Sequence, residues 1–537
     1  MIRSPRLIAL LAALALTLAG CAAPQAAPAP AGQPTAGTEP RGGSLTRALT
    51  SEPASLDPQG AANAGLNVVL PFLYDTLITR QRDGKFVPNL ASSWQVAPDG
   101  KSIDLKLKSG VKFQDGTPLN AAAVVFTFER FKKVGDKSPI AANVKQIDKI
   151  TAVDDSTVKM TFTEPNASIF GTLSMPYSGI MSPAAVQAAG DDLSVKSAGS
   201  GPFKLGEWKR GVGITLTRNP DYNWGPAEVK NKGPVYLDSV VLKVVPDAST
   251  QMAALQAGDV DMIFVTEPSQ LTQAQADTSL HIEPINLDSL IYLGFNCAKA
   301  PYDDVKVRQA LAYAVNKPDV VKTALGGLGI EAGTPLPPGL LGYDKSLASS
   351  GQGYDPARAK ALLAEAGFTQ GADGSWQKAG VKLGGRLLTS NRAPNEAIAT
   401  LLQSQFKAIG VPLEIQQLDS SAVMKASTEG AFDLILWRYD WNDPDALNIY
   451  LGSSRIRQTN RVFYSNKDAD ALFAAGLKEF DPDKRARIYQ DAQKLILKDA
   501  PWQPLYYPME GLVYRGRVNN LVIGSLGRVM VNDATVK

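Results

Sequence analysis

Short segments with the two-residue period of a β-strand alternate irregularly with helical segments from Ser44 onward. Ile103, Leu105 and Leu107 alternate with polar residues, which predicts a half-buried strand. Asp304 is placed to cap a helix whose apolar positions recur three and four residues apart. No repeat of fixed length is visible in the sequence, which argues against solenoids and propellers. The pattern predicts a mixed α/β protein with more than one lobe.

Other segments follow the same two patterns. Val111 and Phe113 predict a second strand, and Asn120 predicts the N-cap of a helix. A β-rich run is expected over residues 147–162. Further helices are expected over residues 355–366, 396–409 and 481–496, and a further strand over 434–437.

The composition narrows the class of protein and of chemistry. A chain of 537 residues allows two to four domains of ordinary size. Hydrophobic residues make up 44% and charged residues 20%, which is typical of a globular protein. The net charge of +3 provides no basic excess, so we expect no nucleic-acid partner. The single histidine, His281, weakens every histidine-based chemistry, and we expect no metal and no cofactor.

The N-terminus has the features of an export signal. Residues 7–16 are an unbroken apolar run that is too short to span a bilayer, and arginines precede it. Small residues directly before Cys21 resemble the bacterial lipoprotein signal. We therefore expect a signal peptide over residues 1–20, lipidation of Cys21, and a flexible linker over residues 21–43 that is rich in Ala and Pro. The alternative is an ordinary signal peptide with a chance cysteine.

Five motifs in order along the chain resemble one protein family. The strongest covers residues 90–94, 98–101 and 110–118. The others cover residues 199–205 with 218–222, 257–261, 295–296 with 305–311, and 355–360. Together they resemble the family 5 extracellular solute-binding proteins of ABC importers, which include dipeptide-, oligopeptide- and nickel-binding proteins. The resemblance spans nearly the whole chain after the linker.

The resemblance implies an α/β fold with the two lobes of a periplasmic binding protein (a Venus flytrap) and an extra domain, three domains in total. It places the cleft for the solute between the lobes. Domain I is expected over residues 44–87, 197–285 and 502–537, domain II over 88–196, and domain III over 286–501.

The segment 437–445 is the leading candidate for solute contact, because it combines three aromatic residues with four acidic or amide residues. Aromatic faces bind cations, and carboxylates fix an ammonium group. By resemblance to the peptide-binding members, Asp443 is the best match for the partner of a peptide's α-ammonium, with Asp440 as the alternate. The alternative is that Asp443 caps the following helix. The aromatic candidates are Trp437, Tyr439 and Trp441, although Trp437 could equally belong to the core.

Four further residues are weaker candidates for solute contact. Tyr292 and Asn296 lie where members of the family line the cleft. Ser200 and Gly201 lie in a glycine-rich crossing segment whose backbone could approach a ligand, but a tight turn explains that segment equally well.

These observations predict a lipid-anchored, extracytoplasmic substrate-binding protein of an ABC importer. We expect it to be a monomer that captures di- or oligopeptides and delivers them to a membrane permease, with no catalytic residue. One alternative keeps the fold but binds an oligosaccharide or another small solute. The other is a membrane-tethered hydrolase, for which Ser109 and Lys112 fit a Ser-x-x-Lys pattern that lacks its companion motifs.

Overall fold

The structure is a computed structural model that describes residues 41–60, 63–348 and 352–537. The predicted signal peptide, Cys21 and most of the predicted linker lie outside these ranges. At the start of the described chain, the Gly42 N–H donates a hydrogen bond to the Tyr236 carbonyl at 2.8 Å. None of the described helices has the length and apolar character needed to cross a bilayer.

The described residues form both strands and helices throughout the chain. The strands are β1 Ser44–Leu49, β2 Ile78–Arg80, β3 Phe86–Pro88, β4 Ala91–Val96, β5 Ser102–Leu107, β6 Ile147–Asp154, β7 Thr157–Phe162, β8 Phe203–Lys209, β9 Gly213–Arg218, β10 Ser239–Val244, β11 Met262–Val265, β12 Leu280–Asn286, β13 Ser289–Phe295, β14 Gly329–Glu331, β15 Thr369–Gln370, β16 Trp376–Lys378, β17 Val381–Lys382, β18 Gly385–Ser390, β19 Leu413–Leu418, β20 Leu434–Asp440, β21 Trp502–Arg515, β22 Val518–Asn519, β23 Val522–Ile523, β24 Val529–Met530 and β25 Thr535–Val536.

The helices are α1 Ala64–Leu73, α2 Ala121–Val134, α3 Ala141–Val144, α4 Ile169–Ser174, α5 Pro183–Ala188, α6 Ala248–Ala257, α7 Pro268–Ala276, α8 Val305–Tyr313, α9 Lys317–Asp319, α10 Lys345–Ala348, α11 Pro356–Glu365, α12 Asn395–Ala408, α13 Ser420–Glu429, α14 Ala446–Leu451, α15 Lys467–Lys478 and α16 Pro482–Asp499.

One long strand, β21, connects the two halves of the largest sheet. The order of that sheet is β19-β18-β20-β13-β21-β11-β1-β10-β9-β8, and β12 and β14 also pair with β21. The first part of β21 pairs with β13, where Gly294 lies opposite Trp502. The last part pairs with β11 and β12, where His281 lies opposite Tyr514. A single strand therefore passes from one side of the molecule to the other.

A separate antiparallel sheet has the order β4-β5-β7-β6. Helix α2 packs on it, and its buried residues Val124 and Phe128 join the same core cluster as the strand residues Ile103 and Leu105. This sheet falls within the range expected for domain II. The predicted domain boundaries remain a prediction.

Most of the local predictions are confirmed. The Asn120 side chain caps α2 by accepting from the Ala123 N–H, and Asp304 caps α8 by accepting from the Lys306 N–H. The predicted strand at Val111 and Phe113 is wrong, because the chain there forms only an isolated bridge and a tight loop. Both of those side chains are nevertheless buried, which explains why they alternate like a strand.

Candidate binding site

The last residues of β20 alternate between the core and the solvent. β20 lies between β18 and β13 in the large sheet. Tyr439 is buried and Trp437 half-buried, whereas Arg438 and Asp440 are exposed. The alternation follows because successive side chains of a strand point to opposite faces. The end of this strand therefore presents one pair of opposite charges to the solvent.

The Asp440 carboxylate is accessible and is held by two side chains. Arg438 Nε donates to Asp440 Oδ2 at 2.7 Å, and the Ser289 hydroxyl on β13 also donates to the carboxylate. The side chains of Arg438 and Asp440 are 57% and 52% exposed. Burial lowers the pKa of Arg438, but the Asp440 carboxylate more than offsets that effect, so the pKa is raised. Asp440 is thus an exposed carboxylate at the end of β20, and its contact with a solute remains a prediction.

The Asp443 carboxylate, in contrast, is buried and paired on both oxygens. Arg485 of α16 donates from Nη1 to Oδ2 at 2.8 Å and from Nη2 to Oδ1 at 2.7 Å. The side chains of Asp443 and Arg485 are 1% and 3% exposed. Asp443 Oδ1 also accepts from the Asp445 N–H at 2.9 Å, which closes a turn just before α14. A solute ammonium could reach Asp443 only after a buried ion pair had opened.

Two other buried carboxyl groups, that of Asp445 within the segment and that of Asp288 beside it, hold protons unusually tightly. Burial raises the pKa of Asp445 to about 7, and the charge of Asp443 adds to the effect. Burial also raises the pKa of Asp288 to about 6, although the ion pair with Arg80 opposes it. Arg80 also donates to the Asn442 carbonyl at 2.9 Å. The loop after β20 is therefore fixed to Arg80 at the end of β2.

Aromatic rings pack behind the end of β20. Tyr439 stacks on Tyr450, with 5.2 Å between the ring centres. The Arg461 guanidinium lies 5.8 Å from the centre of the Trp437 ring. Trp441 is half-buried, and its backbone N–H donates to the Asp288 carbonyl at 3.1 Å. Tyr439 belongs to the core, while Trp437 and Trp441 are partly accessible.

Two of the weaker candidates, Tyr292 and Asn296, are buried on β13 and just after it. Tyr292 stacks on Trp502, with 4.3 Å between the ring centres. Asn296 Nδ2 donates to the Gly430 carbonyl at 3.2 Å and to the Phe432 carbonyl at 3.1 Å. Both side chains therefore have partners inside the core, and their contact with a solute remains a prediction.

The other two weaker candidates, Ser200 and Gly201, pack against the end of α1 and the residues that follow it. The Ser200 hydroxyl donates to Asp75 Oδ2 at 3.0 Å, and the Gly201 N–H donates to the Leu73 carbonyl at 2.9 Å. A Cβ atom at Gly201 would lie 2.5 Å from the backbone of Leu73 and Phe72. These contacts account for both residues by packing, and their contact with a solute likewise remains a prediction.

A cavity of about 440 Å³ opens beside the loop that follows β20. It brings together residues from widely separated parts of the chain, among them Arg47, Tyr74, Phe264, Asn442, Glu510 and Arg528. All of its lining residues belong to the described ranges, and none of the nine predicted contact residues is among them. Asn442, between Trp441 and Asp443, is the point at which the predicted segment meets the cavity.

Arg47 and Glu510 were not predicted from the sequence. Arg47 occupies a core-facing position of β1, on the same face of the strand as the buried Leu45 and Leu49. A charged residue at a core-facing strand position is the sequence signal that could have indicated a functional role. Glu510 has no comparable signal, because its approach to Arg47 depends on how β21 crosses the sheet.

Comparison with known proteins identifies the family. Residues 85–458 match the bacterial extracellular solute-binding proteins, family 5 (middle). The chain belongs to this family. The two-lobed α/β fold implied by the sequence motifs is therefore confirmed, and so is the prediction of a binding protein rather than an enzyme. The alternative of a membrane-tethered hydrolase is wrong.

Relatives of this family 5 protein bind several kinds of solute. It is 29% identical over 469 residues to the glutathione-binding protein GsiB of Escherichia coli (strain K12), and the alignment covers 85% of this chain and 88% of that protein. It is 31% identical over 466 residues to heme-binding protein A of Haemophilus influenzae, which covers 82% of each. Family membership therefore establishes capture of a small solute outside the cytoplasm for an ABC importer, but not which solute.

Solved structures of family 5 proteins agree with this fold. HbpA2 from Haemophilus parasuis superposes with a TM-score of 0.80 at 26% identity, covering 92% of this chain and 100% of that one. The oligopeptide-binding protein AppA from Bacillus subtilis, in complex with a nonapeptide, superposes with a TM-score of 0.68 at 27% identity, covering 93% and 99%. The likeness therefore extends over the whole body of the protein.

Proposed function

We propose that this protein is the peptide-capturing subunit of an ABC importer and that Asp440 binds the α-ammonium group of the peptide. The observation that carries the proposal is the exposed Asp440 carboxylate at the end of β20, beside partly accessible aromatic rings. A carboxylate binds an ammonium group through directional hydrogen bonds as well as through its opposite charge. The flanking rings supply contact area at a low cost in side-chain entropy.

The energies of the two ion pairs favour Asp440 over Asp443. Opening the exposed Arg438–Asp440 pair costs about 0–1 kcal/mol, because water replaces the lost contact. Opening the buried Asp443–Arg485 pair leaves an unpaired buried charge, which costs about 3–5 kcal/mol. A peptide ammonium can therefore bind Asp440 at a small cost in free energy, whereas binding to Asp443 would offset much of the favourable free energy of binding.

The comparisons support a peptide as the solute. The ligands named for GsiB and AppA, glutathione and a nonapeptide, are both peptides. The ring faces that an oligosaccharide would need are partly occupied, because Arg461 lies over Trp437 and Tyr450 covers Tyr439. These contacts make stacking on a sugar the weaker alternative.

We further propose that the protein is held at the membrane through a lipid on Cys21. The small residues before Cys21 and the linker of residues 21–43 support this proposal. Two or more acyl chains would give stable anchoring, whereas one chain would not. An anchored binding protein stays close to its permease, which raises the effective concentration of the solute-loaded protein there.

Calorimetric titration with a tripeptide library tests the proposed ammonium contact. We expect the free-amine library to bind wild-type protein, and its N-acetylated form to bind about 10- to 100-fold more weakly, as for loss of one hydrogen-bonded charge. Asp440→Asn should remove that difference. Asp491→Asn, which alters an exposed acid paired with Lys494, is the matched control and should keep it. Equal binding of both libraries by wild-type protein would contradict the proposal.

A further inference from the structure

Arg47 is a buried cation with unused hydrogen-bonding capacity. It is 7% exposed, and its guanidinium carbon lies 4.5 Å from the centre of the Phe264 ring. Its Nε is buried and has no hydrogen-bond partner. A buried donor without a partner is destabilising, more so when it is charged, so such groups are rare in folded proteins.

The acidic groups around Arg47 compensate its positive charge only in part, which favours the binding of an anion. Burial lowers the pKa of Arg47 to about 10, and the charge of Glu510 opposes this only in part. Glu510 is shared, because the charges of both Arg47 and Arg438 act on it. Arg528 lines the same cavity, and its Nε is also buried without a partner. The cavity is therefore lined by three guanidinium groups and one acid, Glu510. Arg80 is paired with Asp288, whereas the Nε atoms of Arg47 and Arg528 have no partner.

The cavity suits part of a small solute. Its volume of about 440 Å³ lies in the range of small-molecule sites. The Phe264 ring supports one face of the Arg47 guanidinium and so limits its rotation. The planar edge of a guanidinium matches the two oxygens of a carboxylate.

We propose that this cavity is a subsite for a carboxylate of the captured solute and that the Arg47 guanidinium binds it. The proposal rests on the proposed function and narrows it to peptides with a free carboxyl group. Such a peptide has its ammonium group at Asp440 and a carboxylate at Arg47. Asn442, two residues beyond Asp440 in the chain, lines the cavity. The charges of Arg47 and of Arg438, the partner of Asp440, both act on Glu510, which also lines the cavity.

The first test compares a tripeptide library that has free carboxyl termini with the same library in amidated form, by calorimetric titration. We expect wild-type protein to bind the free-acid library about 10-fold or more tightly, as for one charged hydrogen-bonded contact. Arg47→Met should lower the affinity for the free acids to that of the amides and leave the amides unchanged. Equal affinities in wild-type protein, or an undiminished preference in Arg47→Met, would overturn the proposal.

Arg210→Met is the matched control. Arg210 also lies over an aromatic ring, 3.7 Å from the centre of Trp208, but it is exposed and outside the cavity. This variant should keep the preference for free acids. Arg47→Lys is a second variant if Arg47→Met does not fold; it keeps the charge but loses the planar edge, so we expect most of the preference to be lost. The comparison of libraries on wild-type protein needs no variant.

A second test does not depend on peptide capture. Succinate, compared with chloride at equal ionic strength, should raise the melting temperature of wild-type protein and not that of Arg47→Met. If no peptide binds but succinate stabilises only proteins that contain Arg47, the proposed function fails and the carboxylate subsite stands. If peptides bind through a free amine while succinate shifts wild-type protein and Arg47→Met equally, the subsite fails and the proposed function stands.

Discussion

Arg485 and Asp443 form a bidentate ion pair, with parallel hydrogen bonds of 2.8 and 2.7 Å, between α16 and the loop after β20. The two residues are 42 positions apart in the chain, and both are buried. The pair ties the candidate segment to the helix packed behind it. It is therefore a structural support for this segment, and contact between Asp443 and a solute remains a prediction.

Asp443→Ala should destabilise the protein by about 3–5 kcal/mol, because it leaves the Arg485 charge buried without its partner. Urea unfolding followed by circular dichroism measures this loss. The double variant Asp443→Leu with Arg485→Met should recover much of the stability, because apolar residues of similar volume often replace a buried pair at little cost. Asp440→Asn, at the exposed pair, should change stability by no more than about 1 kcal/mol.

Helix boundaries could be read from the sequence because the groups that make them are local. Asn120 and Asp304 each accept from a backbone N–H two or three residues ahead, within the reach of a sequence pattern. The strand expected at Val111 and Phe113 failed for a related reason. Alternating burial reports which side of the chain faces the core, and it does not report whether a neighbouring strand is there to pair with.

The partners of the site residues could not be predicted in this way. Nothing near Asp443 in the sequence shows that Arg485 will meet it, so the motif made Asp443 the best match and Asp440 only the alternate. Arg47 and Glu510 come from opposite ends of the chain and share a cavity only because β1 and β21 enter the same sheet. Sequence patterns indicated a candidate segment, while long-range packing decides which of its side chains remain free.

The protein should become more stable as the pH falls from about 7 toward 4. In the folded state, burial raises the pKa of Asp445 from its ordinary 3.8 to about 7, so between these values the folded protein holds a proton that the unfolded chain has released. Stability contributed by this group is complete below pH 4 and is lost as the pH rises to 7. The slope should approach about 1.4 kcal/mol per pH unit for one proton.

Urea unfolding at several pH values measures that slope. Asp288, whose pKa is about 6, contributes with the same sign, so the comparison needs Asp445→Asn. This variant should have a flatter pH profile and should be the more stable protein at pH 8, because it carries no buried charge at that position. An unchanged slope in Asp445→Asn would assign the dependence to other groups.

Gly201→Ala should lower stability by about 1–3 kcal/mol, because the added Cβ would lie 2.5 Å from the backbone of Leu73 and Phe72. Urea unfolding of Gly201→Ala measures this loss. Gly353→Ala, where the added atom meets nothing within 4 Å, is the control and should keep wild-type stability. If Gly201 acts only through packing, the folded variant should bind the tripeptide library with wild-type affinity. A lost affinity in a variant of unchanged stability would instead support the predicted contact between Gly201 and a solute.

Cys21→Ser should release the protein from the membrane of an expressing bacterium. The thiol is the acceptor of the lipid in the proposed modification, and a serine hydroxyl cannot replace it there. Metabolic labelling with an alkyne fatty acid, followed by partition into a detergent phase, reports both the lipid and the anchoring. Cys297→Ser is the matched control, because it removes the other cysteine of the chain, which is a free thiol packed beside the core. We expect the control to keep its label and its membrane association, whereas label retained by Cys21→Ser would place the modification elsewhere or show that none occurs at this cysteine.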